Sequence, residues 1–281
     1  METDKKLVNK IAVITGATSG IGKETALALA EAGATLVLPV RNLKKGEDAK
    51  KEISGKTGNT GIDLIECDLA SFDSIRTFAD DFNKRYDSLH ILVNNAGIWE
   101  RKPKKTADGI EMNFGVNHLA PFLLTNLLID RLKAGAPSRI VNVSSEVHRY
   151  TGFNFDDPGL TGRYSSLRSY SQSKLANILF TRHLAGIVEK DGITVNCLHP
   201  GVVATNLFDR MNRFIRPVAG FFMLSPRKGA ETTIFLAADS DPDGETGGYW
   251  VKKKKKRPSR AALDKEAARR LWDLSKEYTG I

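Results

Sequence analysis

A chain of 281 residues with 41% hydrophobic and 27% charged side chains has the composition of a folded globular protein, which excludes a disordered one. Its net charge is +9, but the consecutive basic residues 252–257 hold six of those charges and leave the remainder at only +3, so composition gives no reason to expect a nucleic-acid partner. No apolar run approaches the ~18 residues that span a bilayer, the N-terminus shows no secretory segment, and Cys67 and Cys197 each lie in an apolar run as buried residues do, which together predict a reducing, cytoplasmic setting.

In chain order, the first predicted strand is 11–15, apolar and rich in β-branched residues. It runs straight into Thr15-Gly16-Ala17-Thr18-Ser19-Gly20-Ile21-Gly22 and a helix over 21–32. A glycine-rich turn between strand and helix lets backbone N–H groups approach a pyrophosphate at the positive end of the helix. The G-x-x-x-G-x-G spacing at a first strand–helix junction therefore points to a dinucleotide rather than to an ordinary turn. A second strand, 35–39, ends near Arg41-Asn42, followed by Lys44 and Lys45, with no acid before Glu47. A protein that binds NAD usually places an Asp or Glu there for the ribose 2′-hydroxyl, whereas an arginine fork suits a 2′-phosphate. NADP(H) is expected over NAD(H).

Helix 43–56 leads to strand 62–66, then Asp68 and helix 72–86. Strand 91–94 closes on Asn94-Asn95-Ala96-Gly97, and a helical pattern covers 109–132. Strand 139–144 ends in Ser144-Ser145, and a loop-rich insertion, 146–166, separates it from helix 167–189, which carries Tyr170 and Lys174. Strand 193–198 ends in His199-Pro200-Gly201. Beyond it, 202–225 places Phe208, Met211, Ile215, Val218 and Phe222 at intervals of three and four, broken at Pro217. Helix 226–238, a short strand at 249–251 and a terminal helix over 259–278 with Ser259 at its N-cap complete the chain. Strand–helix alternation throughout, without linker or repeat, predicts one domain, an α/β fold with a doubly wound, parallel, seven-stranded sheet covered by helices on both faces.

Tyr170 and Lys174 stand four apart on a helix and share a face. A phenol near pKa 10 is a poor acid–base group at neutral pH. An ammonium roughly 5 Å away, at an effective dielectric near 20, favours the phenolate by about 3 kcal/mol, on the order of two pKa units. Ser145, at the carboxyl end of a central strand, is placed to hydrogen-bond the oxygen that Tyr170 protonates. The histidines at 90, 118, 148, 183 and 199 lack metal-ligand spacing, and no metal is expected; for His148, three residues after Ser145, a loop role is favoured over a substrate contact.

The glycine turn, Asn94-Asn95-Ala96-Gly97, Ser144-Ser145, Tyr170-x-x-x-Lys174 and His199-Pro200-Gly201, each at the end of its expected element, resemble the short-chain dehydrogenase/reductases. The runs Arg139-Ile-Val-Asn-Val-Ser-Ser and Tyr170-x-x-x-Lys-Leu-Ala-Asn-Ile-Leu-Phe, with the insertion before Tyr170, resemble the retinol dehydrogenase-like branch. The resemblance covers nearly the whole chain. It implies a Rossmann-type fold and hydride transfer between NADP(H) and a lipophilic carbonyl or alcohol, with Ser145, Tyr170 and Lys174 catalytic and Asn117 holding a water that links Lys174 to solvent. It also implies cofactor contacts from Gly16, Thr18, Ser19, Gly20, Ile21, Gly22 and Arg41, from Asp68 and Leu69 at the adenine, and from Asn94, Ala96 and Gly97 at the ribose. Lys174 and Tyr170 join them at the nicotinamide end with Pro200, Gly201, Val203 and Thr205. Asp68 and Thr205 have an alternative as helix N-caps, and Asn117 as a capping or backbone-bonding asparagine.

Membrane-bound members of the branch carry an apolar N-terminal anchor, which the first residues here do not contain. Relatives form homodimers or homotetramers, and an oligomer is expected. An NADP-sensing regulator without turnover is the alternative function, but such proteins lose the serine, tyrosine or lysine kept here. Substrate specificity is expected to reside in 202–225, the insertion and 99–105, none of which carries a motif; the 202–225 stripe reads either as a lid over a bulky apolar substrate or as packing. The 252–257 run reads as an exposed connection able to hold anionic surfaces weakly.

Overall fold

The computed structural model describes residues 6–203, 224–242 and 244–281. Strands β1 (Ile11–Ile14), β2 (Thr35–Val40) and β3 (Ile62–Glu66) alternate with helices α1 (Gly20–Glu31), α2 (Leu43–Thr57) and α3 (Phe72–Arg85). Strand β4 (Ile91–Asn94) is followed by α4 (Met112–Phe114), a π-helical turn (Gly115–Leu119), α5 (Ala120–Leu127) and α6 (Ile129–Ala134). Next come β5 (Ser138–Val143), a 3-10 turn (Glu146–Tyr150), α7 (Ser166–Val188) and β6 (Ile193–His199). Helix α8 (Pro226–Ala238), β7 (Tyr249–Val251), β8 (Lys254–Lys256) and α9 (Lys265–Thr279) end the chain.

The sheet order is β3-β2-β1-β4-β5-β6-β7-β8, parallel through β7, with β8 antiparallel at the edge. Order reverses between β1 and β4, and the crevice that such a reversal opens at the strands' carboxyl ends is where ligands bind in sheets of this kind. Side chains leave a strand on alternate faces, and the two cores divide accordingly. Val13, Val37, Leu92, Ile140 and Tyr249 face a layer that includes Phe78, Phe82 and Phe122. Their neighbours Ile14, Leu38, Val93, Val141 and Trp250 face Leu29, Phe235 and Leu236. Each fully buried Leu, Ile or Phe contributes about 1.5–3 kcal/mol, so the doubled apolar strands hold both helical layers to one sheet.

Three elements differ from expectation. The sheet gains an eighth strand, because the chain turns at Lys252-Lys253 and returns along β7, pairing Val251 with Lys254 and Tyr249 with Lys256; the basic run is exposed, as expected, but half of it is strand. The helix expected over 109–132 is broken. Pro121 has no N–H to return to the Asn117 carbonyl, and the Ala120 N–H reaches back five residues to the Gly115 carbonyl, opening the π turn. The terminal helix starts later than expected, at Lys265 with Asp264 as its N-cap; the Ser259 hydroxyl instead accepts from the Ala262 N–H in a preceding 3-10 turn, Ala261–Leu263.

Candidate active site

The crevice at the carboxyl ends of the strands is a cleft of about 880 Å³. Its wall at β1 is the glycine turn. The Thr15 hydroxyl accepts from the Asn95 and Ala96 N–H groups, 3.0 Å each, and donates to the Val93 carbonyl, so the ends of β1 and β4 are bonded together. Gly16 and Gly20 take φ of 69° and 56°, a region that side chains disfavour. A Cβ on Gly22 would collide with the Gly16 carbonyl and the Asn95 amide, so only glycine lets α1 approach the turn this closely. Ser19, at the N-cap of α1, makes no side-chain cap bond. The first N–H groups of the helix therefore face the cleft, together with Thr18, Ser19, Gly20 and Ile21, as a pyrophosphate requires.

At the end of β2 the cleft is lined by Pro39, Val40, Arg41, Asn42 and Lys45, and Lys44 is not among the lining residues. Arg41 and Lys45 are exposed; Asn42 caps α2 by accepting from the Lys45 N–H at 2.9 Å. Asp68 and Leu69 line the wall after β3. Asp68 accepts from the Ala70 N–H at 3.0 Å, while the cap of α3 is Ser71; the capping alternative for Asp68 fails. Ala96 and Gly97 line the cleft, as do Pro200, Gly201 and Val203.

Asn94 is placed otherwise than expected. Its amide donates to Asn142 Oδ1 at 2.8 Å and Thr125 Oγ1 at 3.0 Å, which buries it behind the sheet end, and Asn95 takes its place in the cleft. Where the strand ends, alternation alone does not say which of two adjacent asparagines turns inward.

On the opposite wall, Ser145, Tyr170 and Lys174 converge. Helix α7 supplies the last two, held by bonds that the motif does not display: Ser144 Oγ donates to the Lys174 carbonyl at 2.7 Å, and Ser173 Oγ to the Tyr170 carbonyl at 2.8 Å. The Lys174 Nζ lies 5.6 Å from the Tyr170 ring centroid and donates to the Val143 carbonyl at 3.2 Å. The spacing is as predicted, but the direction of the tyrosine's shift is not. Both side chains are buried, and burial penalises whichever form is charged. It pushes the Tyr170 hydroxyl above the usual phenol range, against a smaller lowering by a hydrogen bond with Ser145, and pushes Lys174 down to about 8.

Asn117 sits on the π turn behind this wall. Its Oδ1 accepts from the Ile98 N–H at 2.8 Å, and its Nδ2 donates to the Ile98 carbonyl and to Ser173 Oγ, 2.9 Å each. The side chain is thus a brace between β4's loop and α7. Its main-chain carbonyl receives no N–H from Pro121. His148 is buried behind Ser145: its Nε2 accepts from the Ser259 N–H at 3.0 Å, which makes Nδ1 the donor to the Ser145 carbonyl at 2.7 Å. It supports the turn and does not line the cleft.

Trp99 was outside the sequence motifs. Its ring stacks on Tyr170, centroids 5.2 Å apart at 17°, and its Nε1 donates to Ser166 Oγ at 2.7 Å. With Met112, Val116, Val147 and Tyr150 it forms an apolar wall beside Ser145 and Tyr170; Trp99, Val147 and Tyr150 fall in the segments expected to set specificity, whereas Met112 and Val116 do not. Thr205 and the apolar stripe 208–222 lie outside the described residues.

Residues 10–215 match the family described as short chain dehydrogenase. The chain belongs to the short-chain dehydrogenase family. Within it, the chain is 42% identical to retinol dehydrogenase 14 of Mus musculus, the match taking in 97% of this chain and 86% of that one. It is equally 42% identical to retinol dehydrogenase 13 of Homo sapiens, over 97% and 85%. This places the short-chain dehydrogenase in the retinol dehydrogenase-like branch, and makes it a hydride-transferring oxidoreductase. Among solved structures, an uncharacterized protein from Mycobacterium Paratuberculosis superposes with a TM-score of 0.80 at 34% identity, covering 97% of this chain and 94% of that one. A gluconate 5-dehydrogenase from Burkholderia cenocepacia, in complex with NADP and tartrate, gives 0.70 at 25% identity over 88% and 94%. Among the described residues, no helix is long and apolar enough to cross a membrane.

Proposed function

We propose that the protein is an NADP(H)-dependent carbonyl reductase or alcohol dehydrogenase acting on bulky lipophilic aldehydes or ketones. The observation that carries this reading is the convergence of Ser145, Tyr170 and Lys174 on one wall of a cleft whose other wall is a glycine turn at an open helix N-terminus. When bound, the nicotinamide supplies or accepts the hydride. The chain's own groups do the rest. Ser145 donates a hydrogen bond that orients the carbonyl, and Tyr170 delivers the proton to its oxygen, or takes it in the oxidative direction. A hydroxyl held above its usual pKa by burial stays protonated at neutral pH, the form that reduction needs. Lys174 holds the positive charge beside the ring, limiting the cost of forming phenolate, and the Asn117 carbonyl anchors a water through which the proton is replaced.

Arg41 and Lys45 support the choice of NADP(H). Both are exposed at the end of β2, where no carboxylate stands to accept the ribose hydroxyls or repel a phosphate. The apolar wall of Trp99, Met112, Val116, Val147 and Tyr150 supports a bulky apolar substrate. NADPH oxidation measured across a panel of linear, polyene and aromatic aldehydes tests the reading. Turnover should rise with apolar bulk. Absence of turnover with every carbonyl, in a protein that still binds NADPH, would favour a cofactor sensor instead.

A further inference from the structure

We infer that the β7–β8 hairpin is a docking edge for an anionic lipid surface, which would bring the mouth of the cleft against the bilayer. Residues 252–257 are exposed without interruption, and among the described residues only Lys255 has an ion-pair partner, Glu245 at 2.5 Å. A stretch of sheet edge built from lysine alone does protect against edge-to-edge association. That explains β8 but not the turn before it.

The turn is where charge and conformation conflict. Lys252 and Lys253 both take left-handed φ, 52° and 59°. A two-residue hairpin of this hand favours Asn-Gly, because each Cβ in the left-handed region is crowded against its own backbone. The chain keeps two lysines where the backbone prefers neither. An unfavourable conformation retained at an exposed site directs attention to what the side chains do there.

Position supplies the partner. Because β7 runs parallel to β6, with Val251 beside His199, the turn lies at the carboxyl end of the sheet, where the cleft opens. The end of the run and the residues just after it are also bonded to the segment that follows Ser145: Arg149 Nη2 donates to the Arg257 carbonyl at 2.8 Å, and the Ser259 N–H to His148 Nε2 at 3.0 Å. That segment ends in Tyr150, 70% exposed at the cleft, and Val202, 54% exposed, also lines it. Clustered lysines beside an exposed aromatic and an aliphatic side chain fit a charged headgroup layer over an apolar one. Lysines are flexible point charges without the fork that reads a phosphate in one geometry. The run has no interleaved aromatics for stacking unpaired bases, and a second copy of the same edge would be repelled.

Co-sedimentation of the full chain with phosphatidylcholine vesicles, with and without about one-third phosphatidylserine, tests the inference at low and high salt. Binding should require phosphatidylserine and be lost as salt rises from about 0.1 to 0.5 M. The variant Lys252→Asn/Lys253→Gly/Lys254→Thr/Lys256→Thr retains Lys255 for Glu245. It should bind more than about a hundredfold more weakly, at roughly fivefold per charge removed, while turnover of a water-soluble aldehyde is unchanged. Its melting temperature should rise by about 2–4 °C as the turn relaxes. The pair Lys254→Thr/Lys256→Thr, which leaves the turn untouched, should lose about half of the effect on a logarithmic scale. Equal sedimentation with both vesicle types, or undiminished binding by either variant, would overturn the inference. So would equally tight binding to duplex DNA, which would mark a general polyanion surface, or a lower melting temperature, which would assign the turn lysines to folding.

Discussion

At the floor of the cleft, Tyr170 and Lys174 are buried, and their helix is held by further bonds: Ser144 to Lys174, Ser173 to Tyr170, Asn117 to Ser173. At the adenosine rim, Arg41 and Lys45 project from the end of β2 and the start of α2 into solvent. Burial shifts the titration of the floor groups in opposite directions. The rim offers charge exposed at the surface. Under the proposed function the difference separates two kinds of consequence: a change at the floor should act on the chemical step, and a change at the rim on which cofactor is chosen.

The sharpest way to break this division is at Tyr170. Tyr170→Phe keeps the ring and its stack on Trp99 and removes only the proton donor. General acid catalysis is worth about 10²–10⁴ in rate, so kcat should fall by that factor while NADPH binding, followed by fluorescence titration, stays as it was. If carbonyl turnover persists in the phenylalanine enzyme, the proton comes from elsewhere and the floor has been misread.

Arg41→Asp applies the same test to the rim. Charge-assisted hydrogen bonds contribute about 1.5–3 kcal/mol, so losing Arg41 should cost roughly ten- to a hundredfold in kcat/KM with NADPH. An aspartate there also accepts the ribose hydroxyls of NADH. The preference should invert or vanish, with kcat at saturating NADH little changed. A wild-type enzyme that favours NADH would refute the role given to Arg41.

The pH profile separates the two regions without touching the fold. Lys174, held near 8 by burial, loses its charge above that pH, and Tyr170 stays protonated well beyond it. Reduction should therefore be level below about pH 8 and fall by up to tenfold per pH unit above it. Lys174→Arg should move or remove that limb, because guanidinium does not deprotonate in this range. Arg41→Asp should leave it in place. A limb that moves with the rim substitution would mean that the two regions are electrostatically coupled.

Much of this was legible in the sequence. The glycine turn and Tyr170-x-x-x-Lys174 depend on local spacing, which a helix or a tight turn converts directly into geometry. The parallel sheet followed from strands apolar on both faces. What escaped depends on tertiary context. β8 was hidden because lysines carry little strand preference and the turn before it lacks the usual Asn-Gly. The π turn arises from one missing N–H at Pro121, which also reads as an ordinary helix start. Segment 99–105 was expected to bear on specificity, but the stack of Trp99 on Tyr170 arises only through the fold. The direction of the Tyr170 shift was misjudged because spacing reveals the nearby ammonium but not the burial that outweighs it.

The smallest effect at neutral pH lies just behind the floor, at His118 on the π turn. The ring is fully buried, stacked on Phe114 with centroids 5.4 Å apart, and its Nε2 meets Ser275 Oγ at 2.9 Å. The Ser275 hydroxyl donates to the Leu271 carbonyl at 2.7 Å, so Nε2 is the donor to Ser275. Burial lowers its pKa to about 3, against about 6.5 in an unfolded chain. Between these values the unfolded chain binds a proton that the folded one does not, so this contribution is fully present above 6.5 and is lost as pH falls toward 3. The slope is up to ~1.4 kcal/mol per pH unit, or ~2 kcal/mol between pH 6.5 and 5. The other described histidines, 90, 148, 183 and 199, are lowered by burial too, so the wild-type slope is steeper than one group provides. His118→Phe keeps the aromatic contacts and removes the titration. Urea denaturation at pH 7 and pH 5 should show the variant losing less stability on acidification than wild type, by an amount on the order of 2 kcal/mol. Equal losses in the two proteins would place the acid sensitivity in the other histidines and leave the π turn out of it.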